Sequence, residues 1–224
     1  MTTKNAIILF SGGLDSTTCL AIAKEKGFNC YALSFDYGQI HSIELEQAKR
    51  IAKLAGVKEH KILTLPIGEL GGSALTDATM QVNDHRTDGK IPTTYVPARN
   101  IIFLSFALSW GEVIGVHDIF IGANFIDYSG YPDCRPDFLR AYEAMAALGT
   151  KAGVEETKFK IHAPLLMMSK SDIIREGHRL KVEYSQTLSC YRPDTEGRAC
   201  GNCDSCVIRK KGFADAGVVD PTRY

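Results

Sequence analysis

Eight residues, Phe10-Ser-Gly-Gly-Leu-Asp-Ser-Thr17, join the apolar run Ala6-Ile-Ile-Leu-Phe10 to a segment whose Cys19, Leu20 and Ile22 recur at helical spacing. This reads as strand, tight turn, helix. At such a turn the helix amides and the positive end of the helix dipole gather anions. Gly12 and Gly13 are expected at positive φ, bringing bare N–H groups against a phosphate, and Ser11, Ser16 and Thr17 add hydroxyl donors. Asp15 stands out, because a carboxylate beside a polyphosphate is repulsive unless a cation intervenes. A Mg²⁺ bridge would account for it, and so would an Asp that holds the loop. A plain Gly-Gly turn with a polar N-cap is the simpler alternative. The chain contains neither the Gly-Lys-Ser/Thr of a Walker loop nor Gly-x-Gly-x-x-Gly.

Further strands are predicted at residues 31–35, 59–65, 117–121 and 158–162, and helices at 41–55, 98–115, 136–148 and 169–180. In helix 41–55 the expected inward positions are Ile43, Ala48, Ile51, Leu54 and Ala55, with Glu44, Lys49, Arg50 and Lys53 outward and Gly56 as C-cap. Helix 98–115 is nearly all apolar and is expected to be buried between neighbours. Residues 66–96 lack clear periodicity and read as a long loop, either a functional cover or partly disordered. Strands alternating with helices predict an open parallel sheet covered on both faces, a Rossmann-like α/β fold.

The 224 residues are 45% hydrophobic, enough for a core, and 26 basic residues balance 26 acidic ones. Disorder is thereby excluded, as is a surface that is basic throughout and built for duplex nucleic acid. No stretch reaches the roughly 18 uncharged apolar residues of a membrane span, so no membrane partner is expected and the protein is placed in the cytoplasm.

Seven cysteines are an odd number, which argues against a disulfide framework. Four of them, Cys190, Cys200, Cys203 and Cys206, crowd near the end of the chain in the spacing Cys-x9-Cys-x2-Cys-x2-Cys. Four thiolates with no open position describe one structural Zn²⁺ site per chain. An iron–sulfur cluster is the rival, although the Cys-Pro that follows in ferredoxin motifs is missing. Arg192, Arg198, Arg209, Lys210 and Lys211 surround the cluster, either to grip RNA phosphates or as a solvated basic face. The division expected is an ATP-binding α/β domain at 1–183 and a zinc-binding segment at 184–224.

The Ser-Gly-Gly-x-Asp-Ser string at residues 11–16 resembles the PP-loop ATP pyrophosphatases, whose fold is that of the adenine nucleotide alpha hydrolases. These enzymes cleave ATP to AMP and pyrophosphate. Other segments narrow the resemblance to the 7-cyano-7-deazaguanine synthase family of the queuosine pathway. They are Phe35-Asp-Tyr-Gly-Gln39 with His41, Val96-Pro-Ala-Arg-Asn100, Asp127-Tyr-Ser-Gly-Tyr-Pro-Asp-Cys-Arg135, Met168-Ser-Lys-Ser-Asp172, Ser189-Cys-Tyr191 and the cysteine turn.

The resemblance implies a ligase that converts 7-carboxy-7-deazaguanine and ammonia to a nitrile with ATP and Mg²⁺. It also implies a homodimer, and nucleic acid is not an expected partner. No glutaminase domain fits beside the ATP domain, so free ammonia is the expected donor. ATP would lie along Phe10, Ser11, Gly12, Gly13, Leu14, Asp15, Ser16, Thr17, Thr18, Cys19 and Leu20. Lys170 would supply the cation that the loop lacks, or be a solvated first-turn lysine. Arg99 would pair with the α-phosphate, or simply open a helix. Asp15 and Asp127 are the Mg²⁺ candidates. Tyr128 and Tyr131 would stack on the deazapurine, Asp133 would accept from its guanine edge, and Arg135 would meet its carboxylate. Cys134 is either a nucleophile or a neutral buried thiol. Rival readings are a tRNA-modifying thiolase of the same loop class and a non-catalytic RNA-binding zinc protein.

Overall fold

The structure is a computed structural model that describes residues 4–40, 43–82, 91–126, 131–155 and 157–224. Five parallel strands form one sheet: β1 (Lys4–Leu9), β2 (Phe28–Asp36), β3 (Glu59–Thr64), β4 (Asp118–Phe120) and β5 (Lys160–His162). Their order across the sheet is β3-β2-β1-β4-β5. The chain therefore moves outward from β1 in one direction through β2 and β3, then returns to the other side of β1 with β4. The order reverses between β1 and β4, so the loops that follow them border the crevice at the carboxyl ends of the strands, where open α/β sheets bind ligands.

The helices are α1 (Leu14–Glu25), α2 (Ile43–Ala55), α3 (Arg99–Ile114), α4 (Pro136–Gly149), the short α5 (Lys151–Val154), α6 (Lys170–Arg179) and α7 (Asp204–Ala216). Alternation along β1 shows why both sheet faces are covered. Ile7 and Leu9 enter the core shared with α3 and α4. Ala6, Ile8 and Phe10 enter the opposite core, with residues from α1, α2, α6 and, through Phe213, α7. A strand buried on both faces carries an unbroken apolar run, and Ala6-Ile-Ile-Leu-Phe10 is one.

Two helix expectations need correction. Leu54 of α2 is exposed, and Leu45 and Ala52 are buried in its place. Helix α3 is not buried all round: Leu104, Ala107, Leu108 and Trp110 face the core, while Ile101, Phe106 and Val113 face outward. Apolar composition cannot tell a helix enclosed by its own chain from one with an exposed apolar stripe. Residues 66–96 are not structureless throughout, since a 3₁₀ turn spans Pro66–Leu70. Among the described residues no helix is long and apolar enough to cross a membrane.

Candidate active site and metal centre

The glycine loop sits at the reversal of strand order, with its turn pressed against α2. Gly12 has φ +77°, and a Cβ there would lie 2.9 Å from the backbone N and Cα of Ala48. Glycine is thus required by both conformation and space. Gly13, expected at positive φ, instead has φ −74° and ψ 171° as the N-cap of α1. The loop's hydroxyls hold its amides. Gly13 N–H donates to Ser11 Oγ at 3.3 Å and Leu14 N–H to Ser189 Oγ at 3.4 Å, while Ser11 N–H donates to Ser16 Oγ at 3.2 Å. Bonds this long are weak and readily exchanged for an anion's oxygens. Thr17 Oγ1 is buried and has no hydrogen-bond partner among the described residues.

Asp15 and Lys170 meet across the fold. Lys170 Nζ donates to both carboxylate oxygens of Asp15, at 2.8 and 2.9 Å. The lysine is 7% exposed, so it is not a solvated first-turn residue. Its position is fixed from three sides. Ser169 and Asp172 form a capping box that starts α6 at Lys170. Asn124, in the loop after β4, donates through Nδ2 to the Leu165 and Met168 carbonyls at 3.0 and 2.6 Å, tying the approach to α6 to the crevice. Gly212 of α7 leaves room for the lysine stem, since a Cβ there would lie 2.4 Å from Lys170 Cγ. The cation that the loop sequence lacks therefore arrives from α6 and already neutralises Asp15. With both oxygens engaged by Lys170, Asp15 ties the loop to the start of α6.

A cavity of about 280 Å³ opens beside the loop. At one end it is lined by Ser11, Gly13, Asp15 and Ser16, and at the other by Tyr37, Glu44, Arg99 and Tyr131. Phe35 and Phe103 form a stacked pair in its wall, with ring centroids 4.0 Å apart and planes at 9°. Burial works against the Arg99 charge, yet the neighbouring Tyr37, Tyr131, Tyr191 and Asp133 hold its pKa above the ordinary arginine value. It donates to Tyr37 Oη at 3.5 Å.

Other expected site residues lie elsewhere. Cys19 and Leu20 are core residues, and the Thr18 hydroxyl is shared with the Leu14 carbonyl and Tyr184 Oη, so this part of α1 faces inward. Asp133 is buried beneath the start of α3: its Oδ2 accepts from the Asn100 N–H at 3.0 Å, and its carbonyl accepts from Asn100 Nδ2. It is engaged in capping and does not line the cavity. Arg135 is exposed and outside the cavity, at the backbone N-cap position of α4. Tyr131 does line the cavity, its ring stacked on Tyr95 at 5.6 Å and its hydroxyl 3.0 Å from that of Thr94. Cys134 is buried at the cavity wall, and burial followed by the Asp133 charge pushes its thiol up to about 12, which disfavours a thiolate. Asp127 and Tyr128 lie outside the described residues.

Sequence reasoning placed Glu44 outward, but it is half-buried and turned to the cavity. It lies one residue into α2, where an amphipathic pattern assigns a charge to solvent by default. Ser189 was also missed as a loop partner, because 175 positions separate it from Leu14.

The four clustered cysteines come together. All four sulfurs lie within 4.8 Å of one another, with Cys200 and Cys206 Sγ 3.9 Å apart. Four sulfurs at about 2.3 Å from a tetrahedral metal would be about 3.8 Å apart. Backbone N–H groups of Arg192 and Cys200 both point at Cys190 Sγ at 3.2 Å, and that of Cys203 at Cys200 Sγ at 3.4 Å, as suits thiolate sulfurs. Gly201 makes the turn at φ +80°. The four thiols are placed so that they could hold one metal ion in a closed tetrahedral site. Of the basic residues around it, Arg209 is 3% exposed and bonds Asp220, Thr187 and the Tyr184 carbonyl. It belongs to the interior and not to a basic surface. Arg192 is engaged by the Val82 carbonyl and Asn202, and Lys210 by the Gly201 carbonyl and the Tyr224 ring.

Residues 5–217 match the family model described as Queuosine biosynthesis protein QueC. The chain belongs to the QueC family. Within it, the chain is 58% identical to the 7-cyano-7-deazaguanine synthase of Stutzerimonas stutzeri over 224 residues, spanning 100% of both proteins. It is 59% identical to that of Nitrosococcus oceani, also over 100% of both. Among solved structures, a 4-thiouridine synthetase–RNA complex with bound ATP is similar at TM-score 0.54 and 15% identity, over 94% of this chain and 53% of that one. The NMN synthetase of Francisella tularensis is similar at TM-score 0.52 and 15% identity, over 97% and 78%. Those two likenesses show that the QueC fold is shared with distant synthetases.

Proposed function

We propose that this QueC-family chain is an ATP-dependent carbon–nitrogen ligase that converts 7-carboxy-7-deazaguanine and ammonia to 7-cyano-7-deazaguanine. The observation that carries this reading is end-to-end identity near 58% with proteins of that name, joined to a cavity with a phosphate-type loop at one end and aromatic walls at the other.

The chemistry explains the layout. A carboxylate oxygen is a poor leaving group. Transfer of the AMP moiety to it releases pyrophosphate and makes an acyl adenylate, which ammonia attacks to give the amide and AMP. The amide oxygen is activated in the same way by a second ATP, and its departure as AMP, with loss of the N–H protons, leaves the nitrile. One site serves both rounds because the acyl and imidoyl adenylates present the same phosphate.

The loop amides and the hydroxyls of Ser11, Ser16 and Thr17 would hold pyrophosphate, with Lys170 fixing the loop through Asp15. Arg99 would meet the α-phosphate side of the adenylate, where negative charge develops. Mg²⁺ would arrive with ATP and screen its phosphates. The four cysteines would hold one structural Zn²⁺, which closes the 184–224 segment against the ATP-binding 1–183 region. The enzyme would work in the cytoplasm on small molecules. It would act as a homodimer, the exposed Ile101 and Val113 of α3 and Met145 and Leu148 of α4 supplying apolar surface for a second copy.

Incubation with ATP, Mg²⁺, ammonium and 7-carboxy-7-deazaguanine should yield the nitrile with two AMP per product by mass analysis. AMP without amide or nitrile would reduce the claim to ATP cleavage alone.

A further inference from the structure

Glu44 is a carboxylate that lines the cavity, yet no hydrogen bond or ion pair holds it among the described residues, and the charge it feels most is that of Arg99. Burial raises its pKa to about 7, against the pull of Arg99. A carboxylate is acceptor-only when ionised, and half-burying one without a donor is costly. Such a group in a cavity marks a place where a ligand brings the donors.

Resting on the activity proposed above, three ligands could bring them. ATP's phosphates are acceptors, its ribose hydroxyls donate but present no flat face to an aromatic wall, and the adenine edge sets one amine beside an acceptor nitrogen that a carboxylate would repel. Ammonium is all donor but needs no flat wall. A 2-amino-4-oxo pyrimidine edge sets a ring N–H and an exocyclic amine side by side, a fork that matches the two oxygens of a carboxylate. The cavity wall that Glu44 shares is aromatic: Phe103 is stacked on Phe35 with planes at 9°, and Tyr37 lies tilted against Phe103 with ring centroids 5.6 Å apart.

We infer that Glu44 is the specificity-determining residue for the deazaguanine, its carboxylate accepting from the ring N–H and the 2-amino group while the base lies against the aromatic wall. This assigns to α2 the task that the sequence suggested for Asp133, whose carboxylate caps α3 instead.

Calorimetric binding of 7-carboxy-7-deazaguanine and of its analogue without the 2-amino group tests the inference without requiring turnover. The wild-type protein should bind the analogue at least about 100-fold more weakly. Glu44→Gln should weaken binding of the full base and bring the two ligands within about threefold. Glu44→Asp, which keeps the charge on a shorter stem, should retain a preference for the 2-amino compound, and thermal unfolding should show each variant folded. Retained discrimination in Glu44→Gln, equal binding by the wild type, or a change confined to the KM for ammonium would overturn the inference. Tight, discriminating binding with no nitrile formed would instead sink the proposed activity and leave Glu44 in place.

Discussion

At the scale of single residues, the contact that organises the site is the ion pair between Lys170 and Asp15, 155 positions apart in the chain. Removing one partner from a largely buried pair leaves an uncompensated charge, at a cost of about 3–5 kcal/mol. Lys170→Met should therefore reduce AMP formation by at least about 100-fold, and Asp15→Asn should do likewise. If the two act as one unit, the double variant should be little worse than either single one, which a double-mutant cycle on AMP release would read. Independent, additive losses would mean that Lys170 acts directly on phosphate. The sequence displayed both residues in recognisable strings. It could not show that they meet, because a contact over 155 positions depends on where α6 packs. Asp133 and Arg135 show the same limit from the other side: their residue types suit a purine edge and a carboxylate, but the Asp133 carboxylate accepts from the Asn100 N–H and Arg135 is exposed outside the cavity.

Among the secondary-structure elements, α7 connects the cysteine cluster to the catalytic loop. Its Arg209 is buried against Asp220, at 3.1 Å, and against the Tyr184 carbonyl. Burial works to raise the Asp220 carboxyl, but the Tyr224 hydroxyl, the Arg209 charge and the Thr222 N–H together hold it below the usual carboxylate range. A folded-state value below the unfolded one, near 4, means that this stabilisation is present above about pH 4 and is lost as pH falls toward the folded value. The urea midpoint should accordingly drop on acidification below about pH 4, with a smaller acid dependence in Asp220→Asn. At neutral pH the same variant should be less stable than wild type, because Arg209 keeps its charge and loses its carboxylate. An Asp220→Asn protein as stable as wild type at pH 7 would contradict this account. Helices α2, α3, α4 and α6 were legible from their period, with Gly56 as the C-cap of α2, whereas α7 was not read within the cysteine segment. Which helix face met solvent was less so: Leu54 and Glu44 exchange their expected surroundings because α2 packs its first turn against the crevice.

For the whole molecule, two features await solution measurement. Metal analysis should give about one zinc per chain, and its removal by a chelator or by Cys203→Ser should lower the unfolding temperature and loosen α7, since metal-binding free energy in such sites is folding free energy. Iron in place of zinc would overturn the metal assignment. Light scattering on a sizing column should give twice the chain mass, and Val113→Lys with Leu148→Lys should return it to one chain; a wild-type monomer would end the dimer proposal.

The sequence by itself determined the parallel α/β architecture, the loop's position at a strand-to-helix turn and the cysteine ligand set, because each is written in local period or short spacing. Family membership was equally legible in its scattered strings. Tertiary structure alone decided that Lys170 answers Asp15, that Arg209 is interior, that Asp133 is a cap and that Glu44 faces the cavity. Those outcomes depend on packing between distant segments, where burial and the supply of hydrogen-bond partners decide what a charged side chain does.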